Sequence, residues 1–196
     1  MTSLRHNEPQ TSSAADLALD AARESILAVG WSRTTLTDVA RRAGVSRMTI
    51  YRKWPDMGAL LGDLMTREWA GLVQVDTTGA DALDRLVLSA VGTVQAVRAN
   101  PLFARIIELD PDRLLPYLLE RPGRSQGLVL AAVVAQIETG QAAGAVRAGD
   151  AQLLARSIVL ACHGFALSAR TMTRPGVSVA ALDGELAAML VGYLRP

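Results

Sequence analysis

Residues Thr34–Trp54 read TTLTDVARRAGVSRMTIYRKW, and the caps within this stretch predict two short helices joined by a tight turn. Thr35 is an N-cap residue, and Asp38, three positions on, is placed to complete a capping box. Leu36, Val39, Ala40 and Ala43 then recur at helical spacing and form one apolar face. Gly44 suits the left-handed position that stops a helix. Val45 plugs the joint and Ser46 caps the next helix. In that helix Ile50 and Trp54 turn inward, while Arg47, Met48, Tyr51 and Arg52 face out. A second helix held across the first by a glycine turn, with basic and aromatic residues outward, is a helix-turn-helix, and it implies DNA binding.

Charge supports the same reading independently. Between residues 33 and 53 stand Arg33, Arg41, Arg42, Arg47, Arg52 and Lys53 against Asp38 alone, a net of +5 in a chain whose total is +1. Everything else therefore sums to −4. A basic island on a slightly acidic body is the electrostatic footprint of a module that displaces counterions from phosphates.

The 196 residues suffice for one large domain or two small ones. Half of them are hydrophobic, yet there are only two Phe, three Tyr and three Trp. The core is thus mostly Ala, Leu and Val, which favours close-packed helices, and no alternating β-branched run argues for a strand. Cys162 stands alone, which excludes an internal disulfide and suits a reducing cytoplasm. The opening MTSLRHNEPQTSS lacks the apolar core of a signal peptide. The apolar runs near 127–137 and 158–169 are read as too short to span a bilayer. The expectation is an all-α, cytoplasmic protein with no membrane partner.

Residues 1–13 show no periodicity and are expected to be a disordered arm. Leu17, Ala21, Ala22 and Ile26 give the next segment a helical stripe that ends at Gly30, with Trp31 packing back beneath the reading pair. Asp56 caps a long helix carrying Leu60, Leu61, Leu64, Met65, Trp69 and Leu72. The domain boundaries that follow are 14–56 for the helix-turn-helix and 57–196 for a helical body. Within the body, helices are expected over 82–99, 102–109, 112–120, 123–140, 151–172 and 177–194, the proline-dense middle being short and kinked. The segment 151–172 is apolar around most of its circumference. Ala180, Ala181, Gly184, Ala187, Ala188 and Gly192 in 177–194 are small enough to let helices approach closely. Such a pair calls for the same pair from a second copy, an isologous four-helix contact, so a homodimer is expected.

The stretch 21–61, AARESILAVGWSRTTLTDVARRAGVSRMTIYRKWPDMGALL, resembles the N-terminal domain of TetR-family transcriptional regulators. The likeness rests on the Ala-Ala and Ile26 of the first helix, Gly30-Trp31, Thr34-Thr35, Val39-Ala40, Ala43-Gly44-Val45-Ser46, Ile50-Tyr51, Trp54 and Ala59-Leu60-Leu61. It implies a dimeric helical protein with a small-molecule pocket, usually a repressor released from a palindromic double-stranded operator by its effector. Carried over by position, Arg47, Met48 and Thr37 read base edges, with Arg47 suited to guanine and Met48 to a thymine methyl. Thr35, Ser46, Thr49, Tyr51, Arg52 and Lys53 fall among the phosphate-positioning residues. Met57 stands where many relatives have a lysine, so the resemblance does not carry that phosphate contact over.

For the pocket, Trp69, Phe103, Ile106, Tyr117, Gln136, His163 and Phe165 lie on segments expected to surround the middle of the body. Their character points to a mainly hydrophobic ligand, although each also fits ordinary core packing. Cys162-His163 cannot form a dyad from adjacent helical positions. His6 is the only other histidine, so no metal site is expected. No nucleotide-binding glycine fingerprint, phosphate loop or nucleophile elbow is present; neither an enzyme nor a cofactor is expected. The alternative that remains is a constitutive helix-turn-helix or architectural DNA-binding factor with a filled body.

Overall fold

The computed structural model describes residues 13–113 and 124–196. Among these residues the chain forms nine α-helices and no β-strand, with one isolated antiparallel bridge between Arg174 and Val177. The expected elements 1–12, most of 112–120, and Tyr117 lie outside the described residues.

The chain divides into two compact units, 1–64 and 65–196. The division falls inside the fourth helix, after Leu64, and Leu60, Leu61 and Leu64 are all buried. In the first unit α1 (Ala14–Val29), α2 (Leu36–Ala43) and α3 (Arg47–Lys53) pack on one another, followed by the start of α4 (Met57–Leu72). Ser13 belongs to this fold and not to a loose arm. Its hydroxyl accepts from the Asp16 N–H while Asp16 returns a bond to the Ser13 N–H, a complete capping box. Leu17 departs from expectation by being exposed. The buried face of α1 runs through Ala18, Ala22, Ser25 and Ile26, and Leu17 sits at its edge in the first turn. Trp31 is buried, as a bracing residue must be.

The turn between α2 and α3 follows the expected chemistry closely. Gly44 has φ +67° and ψ 24°; its N–H bonds back to Arg41 O, and the Val45 N–H bonds to Ala40 O. These are the two bonds of a Schellman motif, which needs a left-handed residue at this position. Nothing lies within 4 Å of where a Cβ on Gly44 would sit, so backbone strain alone decides the effect of a side chain there. Gly44→Ala should therefore cost about 1–2 kcal/mol, read as a lower denaturant midpoint for the first unit, with Gly44→Asn losing less.

The second unit is organised on α5 (Ala82–Ala99), which packs against α6 (Pro101–Leu109), α7 (Arg124–Ala142), α8 (Ala151–Ser168) and α9 (Val179–Leu194). A 3₁₀ turn at Pro111–Arg113 follows α6, and another at Ala169–Met172 extends α8. Asn100 ends α5 and caps α6, whose first residue is Pro101, the helical position where a missing N–H costs nothing. The core joins Leu83, Leu86, Val87 and Val94 of α5 to Val134 and Ile137 of α7, Leu154 and Ile158 of α8, and Leu186, Leu190 and Leu194 of α9. Val146 closes over the end of α7. A Cβ on Gly140 would stand 2.4 Å from Val146 Cγ2, so this approach requires glycine. Ala145 and Val146 both donate to Gly140 O, fixing the turn.

One sequence expectation fails on length. Ala151–Met172 is 22 residues long and holds an 18-residue stretch of mean hydropathy 1.3, long and apolar enough to cross a bilayer by those two measures alone. The shorter run 158–169 leaves out the seven helical residues that precede Ile158.

Candidate DNA-reading surface and interior cavity

The outward face of α3 carries its chemistry because Ile50 and Trp54 hold the other face down. Ile50 is fully buried, Trp54 is 2% exposed, and the Trp54 indole donates to Asp63 Oδ2 at 2.9 Å. That last bond ties the end of α3 to α4 within the first unit; sequence spacing gave no sign of it. With the inner face fixed, Met48 is left 77% exposed and Tyr51 49% exposed, beside exposed Arg47, Arg52 and Lys53.

Electrostatics sorts the basic residues further. Arg41 pairs with Asp38 at 3.4 Å and Arg42 with Glu24 at 3.4 Å. Among the described residues Arg47 and Arg52 form no ion pair, and Lys53 lies over the Trp54 ring at 5.0 Å. The guanidinium of Arg47 thus keeps its whole donor fork for an external acceptor.

Three hydroxyls assigned to phosphate contacts are partly committed. Thr35 Oγ1 accepts from the Asp38 N–H and donates to Asp38 Oδ2 at 2.6 Å. Asp38 therefore answers the cap through its partner's hydroxyl rather than through a backbone N–H, and that bond, with help from Arg41, holds its carboxyl below the usual range. Ser46 Oγ accepts from the Thr49 N–H, and the two hydroxyls lie 2.9 Å apart, so they share one proton between them and have one left to offer. Thr37, the second residue of α2, is half-buried.

In the second unit a cavity lies between the end of α4, α5, α7 and α8. Its volume is about 70 Å³. Trp69, Gln136 and His163 line it, together with Cys162 and a wall of Val, Leu, Ile and Ala. Three expected residues are elsewhere. Ile106 is wholly buried core, Phe165 packs against the core cluster, and Phe103 stands edge-on to Trp69 with ring centres 6.0 Å apart. Phe103 and Ile106 belong to α6, which contributes nothing to this wall, whereas Phe165 lies on α8, a lining helix, at a position that does not line it. Tyr117 lies outside the described residues.

Two hydroxyls in the wall are used by the backbone. Ser89 Oγ accepts from the Asp76 N–H and donates to Arg85 O; Thr93 Oγ1 accepts from the Gln74 N–H and donates to Ser89 O. These bonds stitch the loop after α4 onto α5. Sequence gave no hint of them, since Ser and Thr inside a helix rarely announce a long-range partner. Among the described residues Gln136 and His163 have no side-chain partner. Burial pushes the Cys162 thiol up to about 11 and the His163 imidazole below its usual value. Cys162 is then an unreactive thiol and His163 a neutral ring at neutral pH.

Residues 18–64 match the family described as bacterial regulatory proteins, tetR family. Over 176 residues the chain is 33% identical to an HTH-type transcriptional regulator of Mycobacterium bovis that is itself uncharacterized, covering 90% of this chain and 92% of that one. A protein of unknown function from Rhodococcus sp. RHA1 shares the fold with a TM-score of 0.70 at 20% identity, covering 97% of this chain and all of the other. The SmeT–triclosan complex does so with a TM-score of 0.61 at 19% identity, covering 94% and 93%. With the capped pair α2–α3, its outward basic face and an all-helical body in place, the chain belongs to the TetR family of bacterial HTH-type transcriptional regulators.

Proposed function

We propose that the protein is a dimeric repressor that leaves a palindromic operator when a small, mainly apolar molecule enters the second unit. The observation that carries the DNA half is the unpaired, fully presented Arg47 beside Met48 on a helix whose other face is buried. Arg47, Met48 and Thr37 read base edges in this proposal. Tyr51, Arg52, Lys53 and the Ser46–Thr49 hydroxyl pair position the phosphates, with Thr35 acting mainly as a cap.

The ligand half rests on the apolar cavity with two polar side chains that have no protein partner. A solved structure of the same fold is a complex with triclosan, itself largely apolar. This cavity favours ligand control over the constitutive alternative, which requires a filled body. The helix α4 runs through both units and supplies Trp69 to the cavity wall. In our reading, ligand pressure on its second half changes the presentation of α3.

Dimerisation is supported by the outer faces of α8 and α9. Leu153 and Leu160 are 62% and 73% exposed, and Gly164, Gly184 and Gly192 have open space where a Cβ would be. Ala181 and Ala188 continue the same small-residue face. A second copy laid on these faces covers the apolar surface of Ala151–Met172 without a membrane, and the protein then works in the cytoplasm, where its DNA is.

The test is fluorescence anisotropy on operator DNA over a salt series. Arg47→Ala should cost about 1–3 kcal/mol against the preferred sequence and narrow its advantage over mutated operators. Lys53→Ala should weaken all sequences alike and reduce the salt slope by about one. Identical behaviour of the two variants would contradict the division of labour.

A further inference from the structure

A second cavity of about 320 Å³ opens where α5, α6 and the end of α8 meet. Phe103, Ile107 and Leu167 give it apolar walls, and Arg98, Arg170 and Glu108 supply the charge. Arg98 is the unusual member. Its side chain is only 10% exposed; Nη2 bonds both oxygens of Asp183, at 2.8 and 2.7 Å, and Nη1 is buried with no partner. A buried guanidinium N–H left unmade is costly, and natural proteins seldom keep one without a use.

The surrounding charges leave room for an anion. Asp183 faces Arg98 from α9, where Gln95 also holds it at 3.0 Å. Glu108 is engaged by Arg105 at 3.1 Å. Arg170 is exposed and, among the described residues, forms no ion pair. Three guanidiniums against two carboxylates leave the cluster at +1.

This cavity and the apolar one share Val97 and Ala166 in their walls. Along α8 and its 3₁₀ extension, His163, Ala166 and Arg170 fall at helical spacing. The distance from His163 to Arg170 is about 10 Å at ~1.5 Å per residue. We propose that the effector is an amphipathic carboxylate: its apolar body fills the cavity beside His163, and its carboxylate lies at Arg98 Nη1 and Arg170. This rests on the reading that the second unit holds the effector, and adds the chemical class.

Calorimetry on the full chain, with decanoate and methyl decanoate as probes, separates the possibilities. Decanoate should bind about tenfold or more tightly than the ester, since a charge-assisted bond is lost on esterification. Arg170→Gln should weaken decanoate several-fold and leave the ester unchanged. Arg98→Lys, which keeps a cation for Asp183 but removes the spare nitrogen, should do the same. Equal binding of acid and ester, or variants that leave decanoate binding intact, would overturn the carboxylate site while the apolar effector cavity stood. If neither probe binds, the carboxylate site is wrong. If neutral apolar compounds also fail to raise the melting temperature or release DNA, the effector reading falls with it.

Discussion

Asp183→Ala should destabilise the second unit by about 3–5 kcal/mol, the range for removing one partner of a buried ion pair. Asp183 and Arg98 are 8% and 10% exposed at their side chains and meet through two short bonds between α5 and α9. Without the carboxylate, Arg98 keeps its charge in a largely buried place, with Nη1 already unpartnered. The penalty comes from the stranded cation more than from the lost bonds. A double variant, Asp183→Leu with Arg98→Met, should therefore recover most of the loss in a urea melt. The same pair sets an acid limit. Burial pushes the Asp183 carboxyl up, but the hydrogen bonds from Arg98 and Gln95, with the charge of Arg98, outweigh it and hold the carboxyl below its usual value. Stability from this depressed group is present above about pH 4, where the unfolded carboxylate ionises, and disappears as pH falls through the lower folded value. The gap between wild type and Asp183→Asn should close over that range.

Trp54→Ala is the counterpart in the first unit, at about 3–5 kcal/mol for a buried aromatic cut to a methyl. Trp54 fills the space beneath α3, and its indole satisfies Asp63. The described part of this unit is small, so a loss of that size removes most of its stability. Thermal melts should show the first unit unfolded and DNA binding abolished, while effector-dependent stabilisation of the second unit persists. Trp54→Phe keeps the ring and loses the Asp63 bond, at a cost of about 1–2 kcal/mol. If Trp54→Ala bound DNA with undiminished affinity, the inward face of α3 would not be what holds Arg47 and Met48 out.

Local chemistry made the first unit readable. Caps at Thr35 and Ser46, a left-handed Gly44, and the opposed faces of α3 each depend on residues within a few positions of one another. The cap at Ser13 was equally local, with Asp16 three residues on, and was missed because its tail looked disordered. The second unit was readable as helices but not as a site. An apolar residue at helical spacing faces either a core or a cavity, and the choice between them depends on the rotation of neighbouring helices. Trp69, Gln136 and His163 fell on the cavity side, whereas Ile106 and Phe165 fell on the packed side. Arg98 and Asp183 stand 85 positions apart. Nothing in the neighbourhood of either residue announces the other, and so the second cavity had no sequence signal at all.

The proposal that two copies of α3 are presented to one operator is best examined by footprinting the full chain on DNA beside its own coding sequence, with sedimentation of the complex. Two protected half-sites with centres about one helical turn, or a whole number of turns, apart, bound by a dimer and uncovered by effector, are the expected result. A single protected half-site under a monomer, or no protection at any salt concentration, would contradict it.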